Sequence, residues 1–263
     1  MGVLVHDILR EIGKDAAEGK GWGDPRRAAG EAFARFSREN PVGLPGLFQL
    51  QRREIESAVD AFLAWESARA KLPGAYRVEA VEKRFGVKAE GGLPAFAGRV
   101  DRVDRGPSGE VWIIDYKYRD GKNERLPLSL IRSGLSHQIP VYLLFARTLS
   151  PAVRASLCFL KGEIRTVTVE GGPWEEIRGE WSASLAAWLS LASAGYFPPL
   201  PHHRFRFAGE SPPRYCRGCP YRDHCRVSPA FEGTEAETEA LIRRVLEDPA
   251  FHAVAGLRPV REG

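Results

Sequence analysis

The chain has 263 residues, and its 38 basic and 34 acidic side chains leave a formal net charge of +4, which is too small to indicate a nucleic-acid partner by itself. Hydrophobic residues make up 43% of the sequence, which is enough to bury a sizeable core and excludes extended disorder. A chain of this length is expected to form one large domain, with at most a small appendage.

Helical spacing of apolar residues predicts three helices at the start of the chain. They extend over about Val3 to Ile12, Arg27 to Phe36 and Leu47 to Ala70. The stretches GWGDP and NPVGLPG separate these helices and are typical of turns, because they combine glycine with proline.

Three strands are predicted next, because the apolar period changes to that of a β-strand. They are Arg77 to Lys88, Phe96 to Val103 and Val111 to Tyr118, joined by glycine-rich turns that begin at Gly91 and Gly106. The third strand, VWIIDYKY, is apolar on both faces at its start, which favours a central position in the sheet.

A helix, a hairpin and a second helix follow. They are predicted at His137 to Leu149, at Val153 to Leu160 with Ile164 to Val169, and at Trp174 to Ala194. A last helix is predicted from about Glu235 to Leu246. The whole order predicts an α/β fold with helices around one sheet.

The chain carries no signal for a membrane or for export. Its longest apolar runs, Val141 to Ala146 and Leu185 to Ala192, are far shorter than the roughly 20 residues that cross a bilayer. No basic segment precedes the first apolar residues, so no secretion signal is predicted. We therefore expect a cytoplasmic protein without a membrane partner.

Two of the predicted strands carry acidic residues and a lysine. Asp115 and Lys117 are two positions apart and therefore project from the same strand face. An antiparallel hairpin would bring Asp101, in the preceding strand, near Asp115. Two carboxylates can hold a divalent cation that binds phosphate oxygens, and the lysine can orient the attacking water or offset developing charge. The pattern indicates phosphodiester hydrolysis, with an ordinary ion pair at a strand end as the alternative.

Four short motifs in series resemble the RecB-type branch of the PD-(D/E)XK nucleases. The strand motifs are GRVDRVD and IIDYKY, the sequence GVLVH at residues 2–6 corresponds to GxxxH, and QIPVY at residues 138–142 corresponds to QxxxY. The resemblance extends from Gly2 to Cys225. It implies a restriction-endonuclease-like α/β core in which helices flank a mixed central sheet.

The resemblance also implies a division of the chain. Residues 1–200 would form the nuclease core, with a helical part at 1–72 and a sheet core at 76–195. Residues 201–263 would add a cysteine-rich segment and a C-terminal helix that pack on this core.

Roles for several residues follow from the same resemblance. Asp101 and Asp115 would be ligands of Mg²⁺ or Mn²⁺, and Lys117 would activate the water. His6 and the backbone carbonyl of Tyr116 would complete the ligand set. From the residues alone, His6 is also explained by a place in the core or at the surface.

The resemblance implies contacts with DNA as well. Gln138 and Tyr142 share one helical face and would hold the DNA strand near the metal, with an amphipathic helix border as the alternative. Phosphates could also be contacted by arginines, namely Arg99, Arg102 and Arg132. Glu82 in the first strand is not included in the site, because glutamates on solvated strand faces are common.

Three of the 4 cysteines are clustered near the end of the chain. Cys216, Cys219 and Cys225 have the spacing C-x2-C-x5-C, which indicates zinc or an iron–sulfur cluster. Cys158 lies in a predicted strand and is interpreted as a small buried apolar residue.

Between zinc and an iron–sulfur cluster, the resemblance favours a [4Fe-4S] cluster. Its iron–sulfur members, including AddB-type helicase-nuclease subunits and CRISPR adaptation nucleases, use such a trio with a fourth cysteine upstream of the GxxxH helix. This chain begins at Met1, directly on that helix, so we expect the fourth ligand to be missing from it. Alternatively, His224, or His202 with His203, completes a zinc site.

The sequence thus predicts a metal-dependent deoxyribonuclease, an exonuclease on single strands or DNA ends in repair or recombination. It contains no G-x-x-x-x-G-K-[ST] phosphate loop, so a helicase would have to be a partner or a missing N-terminal region. There are two alternatives from other classes. One is a catalytically silent, cluster-stabilised DNA-binding scaffold of a repair or CRISPR adaptation complex, and the other is a zinc-ribbon interaction protein.

Overall fold

The computed structural model describes residues 1–40, 43–90, 93–122, 128–132 and 136–193. In chain order the helices and strands of this part are α1 Gly2–Ala17, α2 Pro25–Glu39, α3 Pro45–Arg69, β1 Arg77–Val87, β2 Phe96–Arg105, β3 Val111–Asp120, α4 Leu128–Arg132, α5 Gln138–Arg147, β4 Val153–Lys161, β5 Arg165–Glu170 and α6 Gly171–Ser193. All five predicted strands are present. Helix α4 was not predicted, because five residues are too few to show a helical period.

The five strands form one mixed sheet in the order β1-β2-β3-β4-β5. Strands β3 and β4 are parallel, and every other neighbouring pair is antiparallel. The parallel pair needs a crossover, and the chain segment that contains α4 and α5 makes it. The predicted α/β fold, a mixed sheet flanked by helices as in restriction endonucleases, is confirmed.

Strand β3 separates two layers of helices because its side chains alternate between the two sheet faces. Trp112, Ile114 and Tyr116 belong to the buried apolar cluster that also contains the inner faces of α1, α2 and α3. On the other face, Asp115 contacts Tyr142 of α5. The sheet is therefore covered on both sides, and its polar residues at the end of β3 lie on the α5 side.

Helix α1 approaches the sheet closely at Gly13. Its buried residues recur at helical spacing and face the sheet, namely Leu4, Val5, Ile8, Leu9, Ile12 and Gly13. A Cβ atom at Gly13 would lie only 2.8 Å from Cγ1 of Val81, so glycine is required for this contact between α1 and β1. The close packing places the amino-terminal half of α1 near β2.

Three buried charged residues and the partly buried Arg69 connect α3 to the sheet. Arg102 of β2 donates a hydrogen bond to Asp104 at 2.7 Å and another to Glu66 of α3 at 2.6 Å. Arg69 donates to Glu66 and Asp104, each at 2.8 Å. The prediction that Arg102 contacts phosphates is wrong, because its side chain is 0% exposed and both of its charged partners lie inside the protein.

Residues Met1–Trp181 form one compact unit, whose border with the following unit falls within α6. The predicted cysteine-rich segment at 201–263, its three clustered cysteines and the helix at Glu235 to Leu246 lie outside the described residues. Among the helices of the described part, none has both the length and the apolar character that a bilayer crossing requires.

Candidate active site

Three carboxylates lie in one row across three neighbouring strands. The pairing on either side of Glu82 in β1 places it opposite Asp101 in β2. In the next ladder, the pair formed by Arg102 and Ile114 is adjacent to Asp101 and Asp115. Since side chains opposite one another in antiparallel strands point to the same face, the sheet itself assembles this acidic row.

His6 of α1 contacts the middle of the row. Its Nδ1 lies 3.4 Å from Oδ1 of Asp101, and one ligand atom each of His6, Glu82 and Asp101 lie within 4.8 Å of one another. The backbone N–H of Tyr116 donates to Oδ2 of Asp101 at 2.7 Å, which fixes this carboxylate. The pKa of His6 is raised, chiefly by its hydrogen bond to Asp101, although burial opposes the change.

Glu82 also belongs to this site, although its sequence context is that of an ordinary surface glutamate. Its pKa is raised, first by burial, while Arg99 Nε lies 2.7 Å from its Oε2 and opposes that shift. A signal was present in the sequence. Counting outward from the predicted turn at Gly91 and Gly92 places residue 82 opposite residue 101, so hairpin symmetry would have found Glu82.

Asp115 forms the buried end of the row and pairs with Lys117. The carboxylate is 4% exposed, and its Oδ2 lies 2.6 Å from Nζ of Lys117. Burial raises the pKa of Asp115, and the negative charge of Asp101 raises it further. A buried carboxylate beside a second negative charge forms a place where a positive charge is favoured.

Gln138 and Tyr142 of α5 converge on the other oxygen of the same carboxylate. Tyr142 donates its hydroxyl hydrogen to Oδ1 of Asp115 at 2.8 Å. Nε2 of Gln138 donates to the same oxygen at 2.7 Å. The two residues of the QxxxY motif thus lie against the acidic row, at the first turns of α5.

The donor set fits a divalent cation. Carboxylate oxygens suit hard ions such as Mg²⁺ and Mn²⁺, and a neutral imidazole is compatible with Mn²⁺. Oδ2 of Asp115 is buried and has no hydrogen bond of normal geometry among the described residues, although it pairs with Lys117. A row of carboxylates in which one buried oxygen lacks a hydrogen bond of normal geometry is the arrangement expected for a cation site.

The remaining predicted residues lie at the border of the acidic row, away from it, or outside the described part. Arg99 is 59% exposed beside Glu82, and Arg132 is half exposed with Glu180 at 3.9 Å, so their predicted phosphate contacts remain predictions. Cys158 is fully buried in β4, as predicted. Cys216, Cys219 and Cys225 are not among the described residues.

The chain matches a known family over most of its length. A model of the PD-(D/E)XK nuclease superfamily matches residues 1–226, which include the acidic row, His6 and the QxxxY motif. No curated protein matches the chain.

Proposed function

We propose that this chain, which belongs to the PD-(D/E)XK nuclease superfamily, hydrolyses DNA phosphodiester bonds with Mg²⁺ or Mn²⁺ at the acidic row. Membership of this superfamily implies a metal-dependent nuclease with DNA as substrate. The observation that carries the assignment of the site is the alignment of Glu82, Asp101 and Asp115 on three adjacent strands, with Lys117 at one end.

Four side chains would hold the cation. Ligand atoms of His6, Glu82 and Asp101 lie close enough together to share it, and Asp115 would add an oxygen from the neighbouring strand. A divalent cation bound there supplies Lewis-acid activation of water and neutralises charge on the phosphate. The backbone carbonyl of Tyr116 remains a predicted further ligand, supported by the position of its N–H beside Asp101.

Lys117 would act on the reacting phosphate. Its ammonium group is anchored by Asp115 at 2.6 Å and is still partly exposed, so it can reach a bound substrate. A fixed positive charge in a partly desolvated site orients water and stabilises the charge that develops on phosphoryl oxygens. Asp115 therefore has two tasks, which are to hold the cation and to hold Lys117.

The finer parts of the proposal rest on motif order. The four motifs from GxxxH to QxxxY support a RecB-like or AddB-like enzyme, and with it exonuclease action on single strands or ends during repair or recombination. The sequence contains no phosphate-loop motif, so a helicase would be either a partner or a further N-terminal region. The spacing of the clustered cysteines supports a [4Fe-4S] cluster or zinc in the C-terminal segment.

The test is cleavage of labelled single-stranded and double-stranded DNA in Mg²⁺ or Mn²⁺. We expect Asp115→Asn and Lys117→Met to lower the rate by at least about 100-fold, since each removes a group that acts in the reaction. Lys14→Met, which removes an exposed ammonium on α1, is the matched control and should cleave normally. EDTA should abolish cleavage.

Two results would overturn the proposal. The first is the absence of cleavage in every metal, and the second is equal cleavage by the wild type and by both variants. DNA binding without turnover would instead support the catalytically silent scaffold.

A further inference from the structure

Gln138, Tyr142 and Asp115 form a closed triangle of hydrogen bonds. Nε2 of Gln138 lies 2.7 Å from Oδ1 of Asp115 and 2.8 Å from the hydroxyl oxygen of Tyr142. That hydroxyl lies 2.8 Å from the same Oδ1. Residues four apart on a helix share one face, so the first turns of α5 direct both side chains at one carboxylate oxygen.

The donors of this triangle are directed at Asp115. A tyrosine hydroxyl has a single hydrogen, and Tyr142 directs it to Asp115. Nε2 of Gln138 lies within donor distance of Asp115 and of the Tyr142 hydroxyl. A phosphate oxygen needs a donor, and in this arrangement Tyr142 has none left and the amide of Gln138 is already directed at the carboxylate.

Packing holds the hydroxyl of Tyr142 in place. Tyr142 is 7% exposed, and its ring makes an edge contact with Phe85, at 6.3 Å between centroids. Phe85 in turn stacks on Phe145 at 4.7 Å. A buried ring held from β1 and α5 keeps its hydroxyl directed at Asp115.

We infer that Gln138 and Tyr142 are positioning residues, which hold the Asp115 carboxylate in the orientation that binds the cation, rather than contacts for the DNA strand. Both donors act on Oδ1, so the carboxylate cannot rotate freely and Oδ2 stays on the side of Lys117. Groups that orient a metal ligand in this way raise metal affinity without touching the metal. The inference rests on the proposed function, because it requires a cation at Asp115.

The test compares Mn²⁺ binding with DNA binding in the full chain. Mn²⁺ affinity is measured without DNA from the electron paramagnetic resonance signal of free Mn²⁺, and DNA affinity in EDTA from the fluorescence anisotropy of a single-stranded oligonucleotide. Tyr142→Phe and Gln138→Met should each weaken Mn²⁺ binding by about 10-fold or more, the usual effect of losing an outer partner of a metal ligand. DNA affinity in EDTA should stay within about twofold of the wild type, because no phosphate contact is lost.

Tyr76→Phe is the matched control. It removes a phenol hydroxyl from a residue that packs on Trp112, on the other face of the sheet, and should change neither affinity. Gln138 is an exposed residue of α5, so its substitution should have little effect on the free energy of unfolding. Gln138→Met therefore tests the inference even if Tyr142→Phe destabilises the fold.

Unchanged Mn²⁺ affinity in both variants, or a loss of DNA affinity in EDTA with normal Mn²⁺ affinity, overturns the positioning role. Failure of the proposed function gives a different result, since the wild type itself would then bind no Mn²⁺. A 10-fold loss of Mn²⁺ affinity alone supports the inference.

Discussion

Glu82 is the only non-glycine residue in the described part with a positive φ, at +50°. A side chain in this left-handed region costs about 1–2 kcal/mol, and such strain is concentrated at functional sites. In this protein it occurs where a carboxylate lies beside Asp101 and His6. A strand pattern predicts alternation but not this local conformation, so Glu82 had the same appearance in the sequence as an ordinary surface glutamate.

Cys158 should be chemically inert in the folded protein. It is fully buried in β4, and burial raises the pKa of its thiol to about 12, so almost no reactive thiolate is present at pH 8. We expect iodoacetamide at pH 8 to leave Cys158 unmodified in the native chain and to alkylate it fully in urea, as measured by peptide mass spectrometry. Rapid native alkylation would contradict its burial.

At the level of helices and strands, two helices that are far apart in the chain meet at one site. Helix α1 brings His6 to Asp101, and α5 brings Gln138 and Tyr142 to Asp115. The strands supply the carboxylates, and the helices supply side chains that pair with or donate hydrogen bonds to these carboxylates. The site therefore depends on how firmly the helices are attached to the sheet.

The buried charges between α3 and β2 provide a test of how firmly a helix of this protein is attached to the sheet. Glu66→Ala leaves the guanidinium of Arg102 without one partner in a site with no access to water, and should lower the free energy of unfolding by about 3–5 kcal/mol. Urea denaturation monitored by circular dichroism measures the loss.

Glu54→Ala on the same helix is the control for this substitution. Its partner Lys161 lies 3.6 Å away and both side chains are more than half exposed, so the unfolding free energy should be almost unchanged. An equally small effect of Glu66→Ala would show that the buried network does not stabilise the fold.

At the level of the whole molecule, the acidic row should make stability depend on divalent metal. A ligand that binds only the folded state stabilises it, by about 2.7 kcal/mol when present at 100 times its dissociation constant. We expect Mn²⁺ to raise the melting temperature of the wild type but not that of Asp101→Asn. Because Asp101→Asn also changes the contacts with His6 and with the N–H of Tyr116, each Mn²⁺ shift is measured against the same protein's melting temperature without metal.

Asp7→Asn provides the comparison for the melting experiment. Asp7 of α1 pairs with Arg10 of the same helix and with Arg35 of α2, away from the acidic row. This variant should therefore show the full rise in melting temperature with Mn²⁺. A Mn²⁺ shift of the same size in Asp101→Asn would place the bound cation away from the acidic row.

Much of the fold was predictable because it follows from local periodicity. The five strands and the main helices follow the apolar pattern, and the hairpin between β2 and β3 was enough to predict that Asp101 approaches Asp115. The superfamily was predictable from motif order and is confirmed by the match over residues 1–226. These features depend on short segments of chain, in which the spacing of two residues along the sequence determines whether they lie close together.

The sequence alone therefore determined the α/β architecture, the superfamily, and the placement of Asp115 and Lys117 on one strand face. Only the tertiary structure showed that Arg102 is buried among carboxylates and that Gln138 and Tyr142 donate to Asp115. The physical reason is that burial and hydrogen-bond partners depend on which distant segments pack together. Contacts between distant segments do not produce a periodic pattern in the sequence, so the sequence alone does not predict them.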